Sequence, residues 1–178
     1  MSFEVIFLHG PAAAGKHTIG SQLAELTGLP LFHNHLTVDL VTTLFEFGSA
    51  GFVQLRADIW RAAYRAAAEA QQSFIFTFNP EATVDPQLIQ ELEELVSAGG
   101  GQLLYVELLC DLETLAGRMD NASRAQFGKL TDPALFRQLV ADGGFDFPPL
   151  PEAWLTVDTA LATAEEAAQA IHSAWLQR

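Results

Sequence analysis

Short apolar runs alternate with longer segments of helical periodicity along most of this chain. The apolar runs predict strands at 3–8, 30–33, 73–78, 102–109 and 154–158. Between them, apolar residues that recur every three or four positions predict helices at 16–27, 37–47, 52–71, 86–98, 112–120, 133–141 and 164–177. Strands that alternate with helices indicate an α/β fold with a mainly parallel sheet covered on both faces.

Three of the predicted helices have start signals in the sequence. The pairs Asp85-Pro86 and Asp132-Pro133 each place a capping carboxylate before a proline in the first helical position. Thr163, with a glutamate three residues later, has the spacing of a capping box. These signals fix the helix starts independently of the apolar pattern.

Length and composition fit a single domain that spans 1–178. Of the 178 residues, 49% are hydrophobic and 17% charged, so the chain can bury a core and is not disordered. No apolar run reaches the length of about 18 residues that a membrane span needs, and the first residues lack the basic segment of a signal peptide. Cys110 is the only cysteine, which excludes an intrachain disulfide. We expect a cytoplasmic protein with no membrane partner, and the oligomeric state stays open.

The formal net charge of −13 disfavours binding to the phosphate backbone of DNA or RNA, so no nucleic-acid partner is expected. Most of the nine Lys and Arg residues fall into three groups: Lys16; then Arg56, Arg61 and Arg65; then Arg118, Arg124 and Lys129. Cations gathered in this way in an acidic chain favour a small phosphorylated ligand over a polymer.

A glycine-bounded loop joins the first predicted strand to the first predicted helix. It spans 10–18 and reads Gly10-Pro11-Ala12-Ala13-Ala14-Gly15-Lys16-His17-Thr18. Glycines allow such a loop to curl with its N–H groups inward, the helix adds the positive end of its dipole, and the lysine adds a full charge. The loop therefore predicts a site for the phosphates of a nucleotide, although a glycine-rich turn with an exposed lysine has the same pattern.

The order Gly-x-x-x-x-Gly-Lys-x-Thr resembles the phosphate-binding loop of nucleoside monophosphate kinases, which share a broad group of P-loop kinases with shikimate and gluconate kinases. The strict pattern has Ser or Thr directly after the lysine, where this chain has His17, with Thr18 one position later. The resemblance implies a three-layer α/β/α fold, a five-stranded parallel sheet in the order 2-3-1-4-5, ATP as the phosphate donor, and Mg²⁺.

The resemblance also implies roles in nucleotide binding. Lys16 would bridge the β- and γ-phosphates as a catalytic cation, and Thr18 would serve the metal. Thr159, after the last strand, would line the adenine site. The loop residues expected to contact the nucleotide are Gly10, Ala13, Ala14, Gly15, Lys16, His17 and Thr18.

A polar segment at about 118–131 resembles the short lid of these kinases. Arg118 would contact the adenine or the phosphates, and Arg124 would be a catalytic cation nearer the transferred phosphate. Without the resemblance, this segment is an exposed loop.

The acceptor is expected beside the helices at about 34–71. At the end of the second strand, where shikimate kinases carry aspartates, the chain has His33-Asn34-His35. His33 or His35 is the candidate catalytic base, since imidazole titrates near neutral pH. As an extended pair the two histidines would face the same way, and they could instead hold a metal or close the strand.

Two further pairs are candidates for binding the acceptor. Arg61 and Arg65 share one helix face, away from Arg56, and could clamp a carboxylate or phosphate or form surface salt bridges. After the third strand, Asn79 and Glu81 would shape the pocket, because the chain has the threonine of shikimate kinases there without the three glycines that follow it.

We therefore expect a P-loop kinase-like protein that transfers the γ-phosphate of ATP to a small hydroxylated or phosphorylated metabolite. Shikimate and gluconate fit poorly as acceptors, because the glycines and aspartates are missing, so the acceptor stays unidentified. Two alternatives stay open: a nucleotide-binding regulator or sensor without transfer activity, and an interaction domain whose loop binds no nucleotide.

Overall fold

The computed structural model of the protein describes residues 3–119 and 130–178. The strands are β1 (Glu4–His9), β2 (Leu31–His33), β3 (Phe74–Phe78), β4 (Gln102–Leu109) and β5 (Leu155–Asp158). The helices of the described residues are α1 (Lys16–Thr27), α2 (Asn34–Thr42), α3 (Ala50–Ala70), α4 (Pro86–Ala98), α5 (Leu112–Gly117), α6 (Pro133–Ala141) and α7 (Ala164–Leu176). Apart from α2, these bounds agree with the sequence pattern to within a few residues.

All five strands are parallel and lie in the order β2-β3-β1-β4-β5, which confirms the predicted topology. β1 is central, and its last residue, His9, is opposite Phe78 of β3 and Glu107 of β4. At the end of β2, His33 is opposite Thr77. Parallel strands end at one edge, so the loops that follow them meet there, with the loop after β1 in the middle.

The alternation of side chains along β1 divides the core into two layers. Val5 and Phe7 pack in a buried cluster with α3 and α4, which includes Trp60. Ile6 and Leu8 pack in a second cluster with α1 and α7. A central strand buried on both faces accounts for the unbroken apolar sequence of β1. Among the described helices, none combines the length and the apolar character that a membrane span requires.

Local caps set three helix starts as predicted. The carboxylates of Asp85 and Asp132 accept hydrogen bonds from backbone N–H groups in the first turns of α4 and α6. At α7, Thr163 and Glu166 form the reciprocal bonds of a capping box. Each cap satisfies donors that a helix leaves unpaired and is worth about 1 kcal/mol.

The prediction of a helix at 37–47 is wrong in its bounds. α2 begins directly after β2, where the backbone N–H of Asn34 donates to Oγ1 of Thr77 at 3.1 Å. It ends at Thr42, and turns lead to Ser49, whose hydroxyl caps α3. The start of α2 thus involves a contact with β3, 43 residues away in sequence, which local periodicity does not reveal.

Candidate functional site

A cleft of about 1060 Å³ opens at the carboxyl edge of the sheet. It is lined by the loop after β1, by α2, by the loop after β3, by residues within 130–145 and by the segment after β5. The loop at 10–18 therefore lies between two halves of the cleft, one beside β2 and β3 and the other beside β4 and β5. Small-molecule sites occupy roughly 300–1,000 Å³, so this cleft has room for two small ligands.

The loop after β1 has a backbone that favours glycine. Gly15 is the N-cap of α1 with a φ of 89°, and Gly10 has a φ of 152°. A methyl group on Gly10 would collide with the carbonyl oxygen of Leu108 in β4. Ala13 also has a positive φ, 67°, although it is not glycine. The loop leads directly into the N-terminus of α1, where the helix dipole attracts anions.

The ammonium group of Lys16 lies across the mouth of this loop. It donates to the carbonyl oxygens of Gly10 and Pro11, each at 2.7 Å, and to Oδ1 of Asn79 at 3.3 Å. One of these bonds therefore joins the loop to the chain after β3. Six of the seven predicted loop residues line the cleft: Ala13, Ala14, Gly15, Lys16, His17 and Thr18.

Two histidines are placed differently from the prediction. His33 and His35 are not an extended pair, because α2 begins between them. His35 lines the cleft, whereas His33 lies outside the lining and packs against the His17 ring in a T-shaped arrangement, with centroids 4.6 Å apart. The geometry favours His35 over His33 as the side chain that meets a ligand.

Asp39 is a cleft residue to which the sequence pattern gives no role. It lies one turn after His35 on the same face of α2, and both line the cleft together with Asn34. A helix predicted to begin at 37 does not place Asp39 in register with the histidine. The i, i+4 spacing of His35 and Asp39 would have identified this face if the start of α2 had been known.

In the loop after β3, Glu81 and Thr83 line the cleft, and a buried arginine lies behind them. Arg56 of α3 is 1% exposed; its Nη1 donates to Glu81 at 2.7 Å and its Nη2 to the carbonyl oxygen of Thr83 at 2.6 Å. Its guanidinium lies 4.9 Å from the ring centroid of Phe52 and 5.4 Å from that of Trp60. Burial lowers the pKa of Arg56, and the carboxylate of Glu81 opposes that shift.

Arg61 and Arg65 do not line the cleft, so the predicted clamp for an acceptor anion is corrected. Arg61 lies on another face of α3, where its Nε donates to Glu91 of α4 at 2.7 Å and its Nη1 lies 3.2 Å from Asp58. The hydrogen bond to Glu91 raises the pKa of Arg61. Arg65 borders a separate depression with Glu91 and Glu94. For Arg61, the alternative of surface salt bridges is the one observed.

In the other half of the cleft, Arg118 and Thr159, both predicted to bind the nucleotide, are hydrogen-bonded to each other. Arg118 follows α5, and its Nη2 donates to the carbonyl oxygen of Thr159 at 2.6 Å. Thr159 is buried, and its hydroxyl donates to the carbonyl oxygen of Leu109 at 3.0 Å. Both Arg118 and Thr159 line the cleft, so the guanidinium is anchored beside the end of β5.

Most of the predicted lid at 118–131 lies outside the described residues. Arg124 belongs to this part of the chain, and its catalytic role stays a prediction.

The segment after the predicted lid contributes an apolar wall to the cleft. The backbone N–H of Ala82 donates to the carbonyl oxygen of Gly144 in this segment at 3.1 Å. This bond ties the wall to the loop after β3. The apolar residues of the wall are Leu130, Leu135, Leu139 and Phe145.

His9 is a second residue that the sequence analysis missed. It ends β1, directly before the loop, and is buried with its ring centroid 6.2 Å from that of Tyr105. Burial and the nearby charge of Lys16 lower the pKa of His9 to about 4, so its imidazole is neutral at pH 7. Its Nε2 has no hydrogen-bond partner in the described part of the chain. The signal in the sequence is a histidine at the end of an apolar run, next to Gly10.

Within residues 3–119 and 130–178, no group of three or more His, Cys, Asp or Glu side chains is arranged to hold a metal ion. Mg²⁺ bound to a nucleotide needs fewer protein ligands, since it keeps several waters and binds phosphate oxygens beside one or two carboxylates. Thr18, at the start of α1, lines the cleft and carries a hydroxyl suited to such an ion. The residues present therefore fit a phosphate-bound Mg²⁺.

No model of a known protein family matches the sequence, and no curated protein matches it. Solved structures do resemble it. A protein from Chloroflexus aurantiacus, provisionally described as a kinase, has a TM-score of 0.69 at 20% identity over 97% of this chain and 98% of its own. The APS kinase of Mycobacterium tuberculosis, in complex with AMPPNP and APS, has a TM-score of 0.66 at 13% identity over 98% of both chains. A gluconokinase from Sinorhizobium meliloti has a TM-score of 0.66 at 15% identity over 99% of this chain and 94% of its own.

These likenesses extend over nearly the whole of each chain, and identities this low establish the fold alone. The strand order and the glycine-bounded loop before α1 agree with that assignment. The chain has the fold of the P-loop kinases.

Proposed function

We propose that the protein is a kinase that transfers the γ-phosphate of ATP to a small hydroxylated or phosphorylated metabolite. The observation that carries this proposal is the position of Lys16, whose ammonium lies at the mouth of the loop between the two halves of one cleft. A positive group at this point is within reach of ligands in both halves. Phosphoryl transfer suits such a site, because its catalysis consists mainly of positioning and charge stabilisation.

ATP would occupy the loop and the half of the cleft beside β4 and β5. The N-terminus of α1 and Lys16 supply positive charge for the phosphates. Arg118, anchored on Thr159, adds a guanidinium in the same half. Arg124 is the candidate for a further cation near the transferred phosphate. Mg²⁺, held through Thr18, would neutralise part of the phosphate charge when bound.

The acceptor would occupy the half beside β2 and β3, where Asn79 and Glu81 line the cleft. His35 is the candidate base on this side: its imidazole would accept the proton of the acceptor hydroxyl as the oxygen attacks phosphorus. Lys16 would stabilise the charge that develops on the transferred group. Apart from the cation assigned to Arg124, the described residues thus supply a candidate for each role.

The first test is thermal unfolding with and without Mg-ATP on the native protein, on Lys16→Ala and on Arg65→Ala. A ligand at a hundred times its dissociation constant adds about 2.7 kcal/mol, or roughly 5–10 °C in a domain of this size. We expect that shift in the native protein and in Arg65→Ala, which removes an exposed arginine outside the cleft. Lys16→Ala should keep its fold and lose the shift.

A second measurement, ADP release in the presence of hydroxyl compounds, separates transfer from binding. A Lys16-dependent shift with no ADP release from any acceptor would favour the nucleotide-binding regulator. The absence of a shift in all three proteins would remove support for nucleotide binding and favour the interaction domain.

A further inference from the structure

The wall of the cleft beside β2 and β3 is rich in hydrogen-bond acceptors. We call it the acceptor wall and define it by Asn34, Asp39, Asn79, Glu81 and Thr83, all of which line the cleft. It presents two carboxylates and two side-chain amides. In the described part of the chain, the Lys and Arg side chains that line the cleft are Lys16 of the loop, which donates to Oδ1 of Asn79 at 3.3 Å, and Arg118 beside β5. At the carboxylate of Asp39, an anionic ligand would meet like charge.

The guanidinium of Arg56 already forms hydrogen bonds to the acceptor wall. Arg56 donates to Glu81 and to both oxygens of Thr83, and at 1% exposure it does not reach the cleft surface. A phosphate or carboxylate could reach this guanidinium only by displacing the carboxylate of Glu81. The guanidinium thus holds the carboxylate of Glu81 at the wall and is not available to a ligand anion.

An orphaned acceptor atom on the same wall points to a ligand with donors. Asn34 is 9% exposed and lines the cleft, and its Oδ1 has no hydrogen-bond partner among the described residues. Its backbone N–H is already used by Thr77. A buried amide oxygen without a donor costs about 1–3 kcal/mol, which a ligand hydroxyl or ammonium would offset.

The charge of the whole molecule acts in the same direction. With a formal net charge of −13, the protein repels anions at long range and attracts cations. The phosphates of ATP would have the helix N-terminus and Lys16 to compensate for this repulsion. Among the residues described, Lys16 is also the cleft-lining cation that contacts the acceptor wall, through Asn79, and bound phosphates would take up its charge. A cationic acceptor would be drawn toward the wall.

We infer that the acceptor is a small polyhydroxyl compound that carries an ammonium group and no phosphate or carboxylate, such as an amino sugar or an amino alcohol. This inference rests on the proposed function and narrows it. The ammonium and hydroxyl donors would bond to the carboxylates of Asp39 and Glu81 and to Oδ1 of Asn34. One hydroxyl oxygen forms a bond to the γ-phosphorus as the bond from that phosphorus to the β–γ bridging oxygen breaks. ADP leaves, and the hydroxyl proton passes to His35.

The test compares acceptors of three charge classes on the same carbon skeletons. Glucosamine, glucose and gluconate share six carbons, and serinol, glycerol and glycerate share three. With saturating Mg-ATP at pH 7, ADP release should give the ammonium compounds a kcat/KM about 10-fold above that of the neutral ones, because hydrogen bonds to charged groups are stronger. The carboxylates should be the poorest. A carboxylate that is the best acceptor of its series overturns the inference.

A variant of Asp39 tests the contribution of the wall's charge to acceptor preference, independently of the overall rate. Asp39→Asn should reduce the preference for glucosamine over glucose about 10-fold, whatever it does to turnover, because an ammonium loses an ion pair whereas a hydroxyl loses only a charge-assisted hydrogen bond. The matched control is Asp58→Asn, which removes an exposed carboxylate on another face of α3 and should leave the preference unchanged. An unchanged preference in Asp39→Asn contradicts the inference.

The inference and the proposed function fail in different ways. If ATP stabilises the protein through Lys16 and a carboxylate is consumed, transfer stands and the acceptor class is wrong. If ATP stabilises the protein and no compound of any class is consumed, both transfer and the acceptor class are overturned.

Discussion

Arg56 and Glu81 form an ion pair of 2.7 Å in which the two partners differ in burial. The arginine side chain is 1% exposed, whereas the carboxylate is 12% exposed and lines the cleft. If the pair is broken, water can therefore solvate the carboxylate of Glu81 more readily than the guanidinium of Arg56. The pair positions a carboxylate in the cleft by means of a cation that does not reach it.

Removal of the carboxylate should cost more than removal of the guanidinium. Glu81→Gln leaves a buried charge without its counter-ion, which costs about 3–5 kcal/mol of the free energy of unfolding. Adding Arg56→Met to that variant should restore part of the loss, because the uncompensated charge is removed. Urea unfolding of Glu81→Gln, of Arg56→Met and of the double variant measures these losses. As a control, Asp58→Asn, which breaks the exposed pair with Arg61, should cost less than about 1 kcal/mol. Additive losses in the double variant would show that the pair is not coupled.

The two histidines beside α2 should differ in their effect on catalysis. His35→Gln should lower turnover and flatten the acidic limb of the pH–rate profile, because a neutral imidazole on the cleft wall is the proposed base. His33→Gln is the matched control: its ring packs against His17 outside the lining, so the profile should keep its shape. The opposite outcome would transfer the role of base to His33.

His9 should make the fold sensitive to acid. Its pKa is about 4 in the folded state and about 6.5 in the unfolded chain, so the unfolded state binds the proton more tightly. Stability from this group is complete above pH 6.5 and is lost as the pH falls toward 4, by about 2 kcal/mol between pH 7 and pH 5. His9→Phe keeps a ring against Tyr105 and removes the titration, so its free energy of unfolding should fall less over that interval. Equal losses in the two proteins would contradict this account.

Ala13 should be replaced by glycine with a gain in stability. Its φ of 67° places an alanine in the left-handed region, where a Cβ costs about 1–2 kcal/mol, more than the entropy that glycine loses on folding. We expect Ala13→Gly to raise the free energy of unfolding by about 0.5–1 kcal/mol, measured in urea. Ala12→Gly, at a position without positive φ, should lower it by a similar amount. A loss in both variants would mean that packing of the alanine methyl outweighs its strain.

The sequence predicts the sheet, its order by resemblance, and most helix bounds, because these depend on local periodicity and on caps such as those of Asp85 and Thr163. It fails at α2, since that helix starts where Asn34 bonds to Thr77 across the sheet. Helix geometry also places Arg56 and Arg61 on different faces of α3, but it does not show which face is buried. Arg56 can occupy the buried face because it pairs with Glu81, which lies 25 residues further along the chain.

Lys16 and Asn79 share one hydrogen bond across the centre of the cleft. A phosphate that binds the ammonium of Lys16 would compete with its three present acceptors, on Gly10, Pro11 and Asn79. If the bond to Asn79 is lost, its Oδ1 can accept a hydrogen bond from another donor. A phosphate at the loop would thereby give the opposite wall one more acceptor atom. Because both halves of the cleft share one ammonium group, the proposed nucleotide and acceptor would bind as coupled events.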